Sequence, residues 1–156
     1  MRAPIEVGIS VTDVERAAAF YESALGFERI SEAELPVERA ILAGFGPVAF
    51  RMVRMQTNYG ERIKLLEPAP KAQEADRTSI LGQAGIAYLT FVVADIDAAM
   101  QRLVSAGVRF MSAGPIQTRP GTRLAFFRDS EGNALELVEY DDLAAYRPDL
   151  PRSPNG

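Results

Sequence analysis

Residues 5–26 run Ile5-Glu6-Val7-Gly8-Ile9-Ser10-Val11-Thr12-Asp13-Val14-Glu15-Arg16-Ala17-Ala18-Ala19-Phe20-Tyr21-Glu22-Ser23-Ala24-Leu25-Gly26, and a change of period inside this stretch decides the fold. Up to Val11 the period is two: Ile5, Val7, Ile9 and Val11 share one face, Glu6, Gly8 and Ser10 the other, as in a half-buried strand. Thr12-Asp13 then supplies a helix N-cap signal. Beyond it Val14, Ala17, Ala18, Tyr21 and Leu25 recur at helical spacing, and Gly26 stands where a C-terminal glycine belongs. The chain therefore opens as strand, capped helix, stop.

The same order returns. Ala87-Tyr88-Leu89-Thr90-Phe91-Val92-Val93 reads as a strand, Ala94-Asp95 caps a helix over 96–106, and Gly107 ends it. Glu6 precedes Asp13 by 7 residues, as Tyr88 precedes Asp95. After the first helix, short strands are expected over 27–30, 39–43, 48–55 and 62–67, with turns at Gly44-Phe45-Gly46-Pro47 and Asn58-Tyr59-Gly60. After the second, strands are expected over 108–111, 115–118, 123–128 and 134–139, with Ser130-Glu131-Gly132-Asn133 as a hairpin turn. Lys64-Leu65-Leu66-Glu67 aligns with Glu136-Leu137-Val138-Glu139 at the ends of the two halves. Independent features recurring in one order identify an internal repeat, each copy β-α-β-β-β, in an α+β chain. Module 1 spans about 4–68, a Pro/Ala/charge-rich linker about 69–84, module 2 about 85–140 and a Pro-containing irregular tail 141–156. One module alone has little core, so the pair is expected to form a single domain over 1–156 and to share a sheet or a dimer interface.

Composition removes whole chemistries. The 156 residues contain no histidine and no cysteine, which excludes thiolate nucleophiles, disulfides, Cys/His zinc sites and imidazole-dependent triads. A net charge of −4 with no Lys/Arg cluster argues against nucleic acid as a partner. Neither a signal-peptide segment nor a membrane-spanning apolar run is found, so a cytoplasmic protein is expected.

The opening run Glu6-Val7-Gly8-Ile9-Ser10-Val11-Thr12-Asp13, the segment Phe20-Tyr21-Glu22-Ser23-Ala24-Leu25-Gly26-Phe27 and the closing run Phe127-Arg128-Asp129-Ser130-Glu131-Gly132-Asn133-Ala134-Leu135-Glu136-Leu137 resemble the vicinal oxygen chelate superfamily, which includes glyoxalases, bleomycin-resistance proteins and extradiol dioxygenases. The resemblance covers about residues 4–140 and is more specific for fold than for reaction. It implies two tandem βαβββ modules whose mixed sheet curls into a cup with the helices outside, a ligand inside the cup, and a homodimer. It also implies metal-ligand positions at Glu6, Lys64, Tyr88 and Glu136, where the family ordinarily has histidine or glutamine, glutamate, histidine and glutamate.

Only Glu136 keeps the usual ligand type. Lys64 has no lone pair to offer when protonated, and a tyrosine with an ordinary pKa near 10 is a poor ligand at neutral pH. The expectation is no metal and no cofactor: the Lys64 ammonium, set between Glu6 and Glu136, takes the electrostatic place of the ion. If the group is catalytic, Glu6 or Glu136 acts as general base, Lys64 stabilises an enolate oxygen, and Tyr88 donates to the same oxygen or reprotonates the product. A buried ion pair that merely fills the site is the plainer alternative.

Alternation supports the cup assignment on its own terms. Tyr88, Thr90 and Val92 share one face of their strand, and Glu136 and Val138 share one face of theirs. Phe50, Met52, Tyr59, Thr90 and Phe126 are candidate ligand-binding residues, against core packing as the commoner role. Arg51, Arg54, Arg119 and Arg123 read first as solvated charges, with bidentate binding of a substrate carboxylate as the alternative. The expected function is a metal-independent lyase or isomerase moving a proton on a small carbonyl metabolite. The alternative is a binding protein that holds an antibiotic or metabolite unchanged, like the bleomycin-resistance proteins.

Overall fold

The structure, a computed structural model, describes residues 4–73, 79–82 and 84–150. The chain divides into two compact units, Met1–Arg77 with Asp129–Gly132, and Thr78–Arg128 with Asn133–Gly156. Within the linker expected over 69–84, residues 74–78 and 83 lie outside the described residues, as do 151–156 of the tail.

Unit 1 contains β1 (Glu6–Ser10), α1 (Val14–Leu25), β2 (Glu28–Leu35), α2 (Val37–Leu42), β3 (Ala49–Gln56) and β4 (Arg62–Ala69). Its sheet has the order β1-β4-β3-β2, with β1 parallel to β4 and the other pairings antiparallel. The period read from the sequence reappears as burial. Val14, Ala17, Ala18 and Tyr21 on α1 are buried, as are Val53 and Met55 on β3 and Ile63 and Leu65 on β4. Burying a valine, isoleucine, leucine or methionine side chain contributes roughly 1.5–3 kcal/mol, so this helix-side layer is the core of the unit. Gly26 adopts φ 70°, a left-handed conformation that closes α1 on carbonyls of its last turn.

Unit 2 contains β5 (Leu89–Val92), α3 (Ile96–Ser105), β6 (Ile116–Arg119), β7 (Thr122–Arg128), β8 (Ala134–Tyr140) and α4 (Leu143–Tyr146). The sheet order is β5-β8-β7-β6, again with one parallel pair, β5 with β8. The α+β class and the two tandem βαβββ modules are thus borne out, and each module keeps its own four-stranded mixed sheet.

A shared device anchors both long helices. The Asp13 carboxylate accepts from the Arg16 amide at 3.0 Å, and that of Asp95 from Ala98 at 2.9 Å. A second carboxylate comes from the closing strand of the same module. Glu67 accepts from the Val14 amide at 3.1 Å, and Glu139 from the Ile96 amide at 2.7 Å. Two of the amides left open at each helix start are thereby satisfied.

Three local expectations are corrected. Residues 39–43 belong not to a strand but to α2 and its C-cap: Pro36 sets the start and Glu38 sits in the first turn, where both favour a helix. Residues 108–111 form no strand; one isolated bridge, Phe110 to Phe127, is what remains of that pairing. The tail is not irregular throughout, because Asp142 caps α4 by accepting from the Ala145 amide. Among the described residues no helix is long and apolar enough to cross a membrane.

Candidate functional site

In unit 2 the face of the sheet that carries the polar alternation lines a cavity of about 570 Å³. Parallel pairing sets Thr90 beside Glu136 and Val92 beside Val138, and all four line the cavity. Glu136 is only 8% exposed, yet it is a carboxylate; its Oε2 accepts from the Thr90 hydroxyl at 2.6 Å. A charge that far out of water is costly unless something offsets it, which makes Glu136 the most informative residue in the unit. Tyr88 reaches the same cavity and packs edge-on against Phe126 at 5.1 Å.

The rest of the lining is aromatic and cationic. Tyr140, four residues after Glu136 on β8, stacks on Tyr146 of α4 at 3.8 Å between ring centres and 17° between planes. The Arg119 guanidinium lies 5.9 Å above the Tyr146 ring, and its Nε donates to Thr122 at 3.1 Å. Arg147 also lines the cavity. Burial, with help from a hydrogen bond to Tyr146, pushes the Tyr140 phenol up to about 12; the Glu136 charge acts in the same direction and Arg119 against it.

The other sequence-selected pair lies in unit 1. Lys64 Nζ is 2.9 Å from the Glu6 carboxylate, and two guanidinium groups join it, Arg62 at 3.3 Å and Arg54 at 3.5 Å. Lys64 is the main cause that holds the Glu6 carboxyl below its usual range. Structure therefore brings Glu6 and Lys64 into contact, and sets Tyr88 and Glu136 on one cavity of the other unit. These donors do not fit the metal implied by the fold. Glu6 is already shared among three cations, Lys64 offers no lone pair, and among the described residues no group of three Asp or Glu side chains is placed to hold an ion.

Of the five candidate ligand-binding residues, Thr90 lines the unit 2 cavity and Phe126 supports Tyr88. Phe50 is buried against Phe45 at 4.9 Å, Met52 is half-buried on the same strand, and Tyr59 stands 86% exposed in the β3–β4 turn. Sequence reasoning missed Tyr140 and Tyr146, and it read Arg54 and Arg119 as solvated charges. Tyr140 was findable, since it continues the Glu136, Val138 alternation. Tyr146 carried no such signal, because its four-residue helix is too short for a period.

Comparison with known proteins bears on the whole chain. The family model described as the Glyoxalase/Bleomycin resistance protein/Dioxygenase superfamily matches residues 5–137. A curated relative, YwkD of Bacillus subtilis (strain 168), is 29% identical over 136 residues, covering 85% of this chain and 93% of YwkD. Among solved structures, a glyoxalase family protein from Bacillus cereus is 25% identical with a TM-score of 0.76, over 90% of this chain and 95% of its own. The trypanothione-dependent glyoxalase I of Leishmania major shares the fold at 17% identity and a TM-score of 0.64, over 96% and 94%.

Proposed function

The chain belongs to the Glyoxalase/Bleomycin resistance protein/Dioxygenase superfamily, and from that premise we propose that it moves a proton on a small carbonyl-containing metabolite held in the unit 2 cavity, without a metal. The observation that carries this reading is the buried Glu136 carboxylate on the cavity wall, held by the Thr90 hydroxyl. Glu136 takes a proton from the carbon next to the carbonyl, and the C–H electron pair passes into an enolate. The proton returns from the Glu136 carboxyl to the same carbon. Where that carbon bears a hydroxyl, the hydroxyl proton passes to the enolate oxygen and the carbon-bound proton returns to the former carbonyl carbon, an isomerisation with no redox change. Donors that face the same space, the Tyr88 hydroxyl and the Arg119 guanidinium, stabilise the enolate oxygen. Glu6 is bound by three cations, with Lys64 first among the causes that hold its carboxyl below the usual range, which disfavours it as a base. Lys64, the expected enolate stabiliser, is engaged with Glu6 in unit 1.

Proton exchange tests this directly. A panel of small 2-oxo acids and ketones is incubated with the protein in D₂O and followed by proton NMR. A substrate of the right class loses its α-proton signal faster than in buffer, and Glu136→Gln slows that loss by roughly 10²–10⁴-fold, the usual contribution of a general base. Saturable binding of a panel member with no exchange above buffer would refute proton transfer. It would favour sequestration of the ligand, for which the stacked Tyr140 and Tyr146 rings beside Arg119 are a recognition wall that needs no chemistry.

A further inference from the structure

We propose that the Arg54, Arg62 and Lys64 side chains of unit 1 form an oxyanion-binding site, taking a carboxylate or phosphate group at the position where the fold family implies a cation. Strand register creates the cluster. Arg54 on β3 is the cross-strand partner of Lys64 on β4, while Glu6 and Gly8 on β1 are the partners of Arg62 and Lys64. All lie on the sheet face turned away from the buried layer of Val53, Met55, Ile63 and Leu65. Like charges directly opposite each other on paired strands repel, so such a pair needs a counter-charge near it.

The described chain supplies one, Glu6, and it is insufficient. Three cations share that single carboxylate, leaving two positive charges uncompensated on side chains that are 30–40% exposed. Glu28, which shares the face at the start of β2, pairs with none of the three. The polar contacts tell the same story. Arg54 Nε is buried and has no hydrogen-bond acceptor, its carboxylate neighbour standing 3.5 Å away. Arg62 spends Nε on Gln56 at 2.6 Å and Nη1 on Glu6. Arg54 spends Nη1 on Ser31 at 3.3 Å. The second terminal nitrogen of each guanidinium and two ammonium protons of Lys64 meet no acceptor among the described residues, and the several oxygens of a carboxylate or phosphate match that donor set.

The test uses the full chain at low ionic strength, titrated by calorimetry with inorganic phosphate and separately with succinate. One saturable site for at least one of them is expected, and which anion binds tells a phosphoryl from a carboxyl ligand. Lys64→Met and Arg54→Gln should each weaken it by about tenfold or more, and added chloride should weaken it further. Lys64→Arg keeps the charge and should retain binding, which separates loss of the site from loss of the fold. Arg119→Gln, in the unit 2 cavity, should leave the affinity unchanged. Absence of saturation with both anions, or a site that survives Lys64→Met and Arg54→Gln, or one abolished by Arg119→Gln, would overturn the proposal.

Discussion

Replacing Tyr21 by phenylalanine removes one oxygen and leaves nearly everything else in place. The ring is fully buried on α1, where it packs edge-on against Phe20 at 5.6 Å and Phe27 at 5.5 Å, and phenylalanine preserves both contacts. What is lost is the hydrogen bond from the Tyr21 hydroxyl to Asp129 Oδ2 at 2.9 Å. Burial, then the Asp129 charge, drives the phenol well above its ordinary pKa, so the hydroxyl stays a donor throughout the working range. Asp129 is 7% exposed, so water replaces the lost donor poorly. Hydrogen bonds to charged groups are worth about 1.5–3 kcal/mol, and a buried acceptor left short of a partner puts the loss in the middle of that range, about 2 kcal/mol. For a chain of this size that corresponds to a Tm lower by roughly 4–8 °C. Urea unfolding of the wild type, Tyr21→Phe, Asp129→Ala and the double variant gives the coupling between the two side chains, expected to exceed about 1 kcal/mol. A loss below about 0.5 kcal/mol for Tyr21→Phe, or a coupling near zero, would refute the reasoning.

Glu131 accepts from the Thr12 amide at 2.7 Å and from Arg16, and although burial opposes ionisation these donors hold its carboxyl below the usual range. Its folded pKa is depressed, so its contribution to stability is present above the ordinary glutamate pKa of 4.5 and is lost as pH falls below it; urea midpoints measured from pH 6 down to 3 should drop less in Glu131→Gln than in the wild type. Glu139→Gln replaces the carboxylate that faces the Ile96 amide and Arg123, and should lower stability by about 1–2 kcal/mol in urea unfolding. Tyr146→Ala uncovers Tyr140, so the Tyr140 titration, isolated by difference against Tyr140→Phe in phenolate absorbance, should move from about 12 back towards the ordinary value of 10.

The parts of the fold that were legible in the sequence are those where a period had room to declare itself. The twelve residues of α1 repeat their apolar face over three turns between Asp13 and Gly26, and the helix has those bounds. Residues 39–43 could not be read that way. A short run with Ala40, Ile41 and Leu42 fits strand or helix equally well, and only Pro36 and Glu38 upstream distinguish the two. The site divides along the same line. Alternation put Tyr88, Thr90 and Glu136 on one face because β5 and β8 each obey it internally. Joining Arg54 to Lys64 requires the register of two strands across the Asn58-Tyr59-Gly60 turn, which alternation within either strand leaves open.

Residues that carried the family resemblance turn out to make structural contacts within unit 1. Asp129 receives the Tyr21 hydroxyl and the Glu131 amide, and Glu131 in turn holds Thr12 and Arg16 at the start of α1. A motif spent on these contacts is specific for the fold and indifferent to the reaction. The repeat makes the same separation within one short segment. Glu67 and Glu139 occupy matching places and do the same work, each binding the first amide of its module's helix. Three residues earlier, on the other face of the strand, the matching positions hold opposite charges: Lys64 binds Glu6, whereas Glu136 is buried beside Thr90. Successive residues of a strand face opposite ways, so the helix side of each module could keep its anchor while the polar side changed. The difference between the modules, a cationic face in one and a cavity holding a buried carboxylate in the other, is therefore where the chemistry of this chain is to be sought.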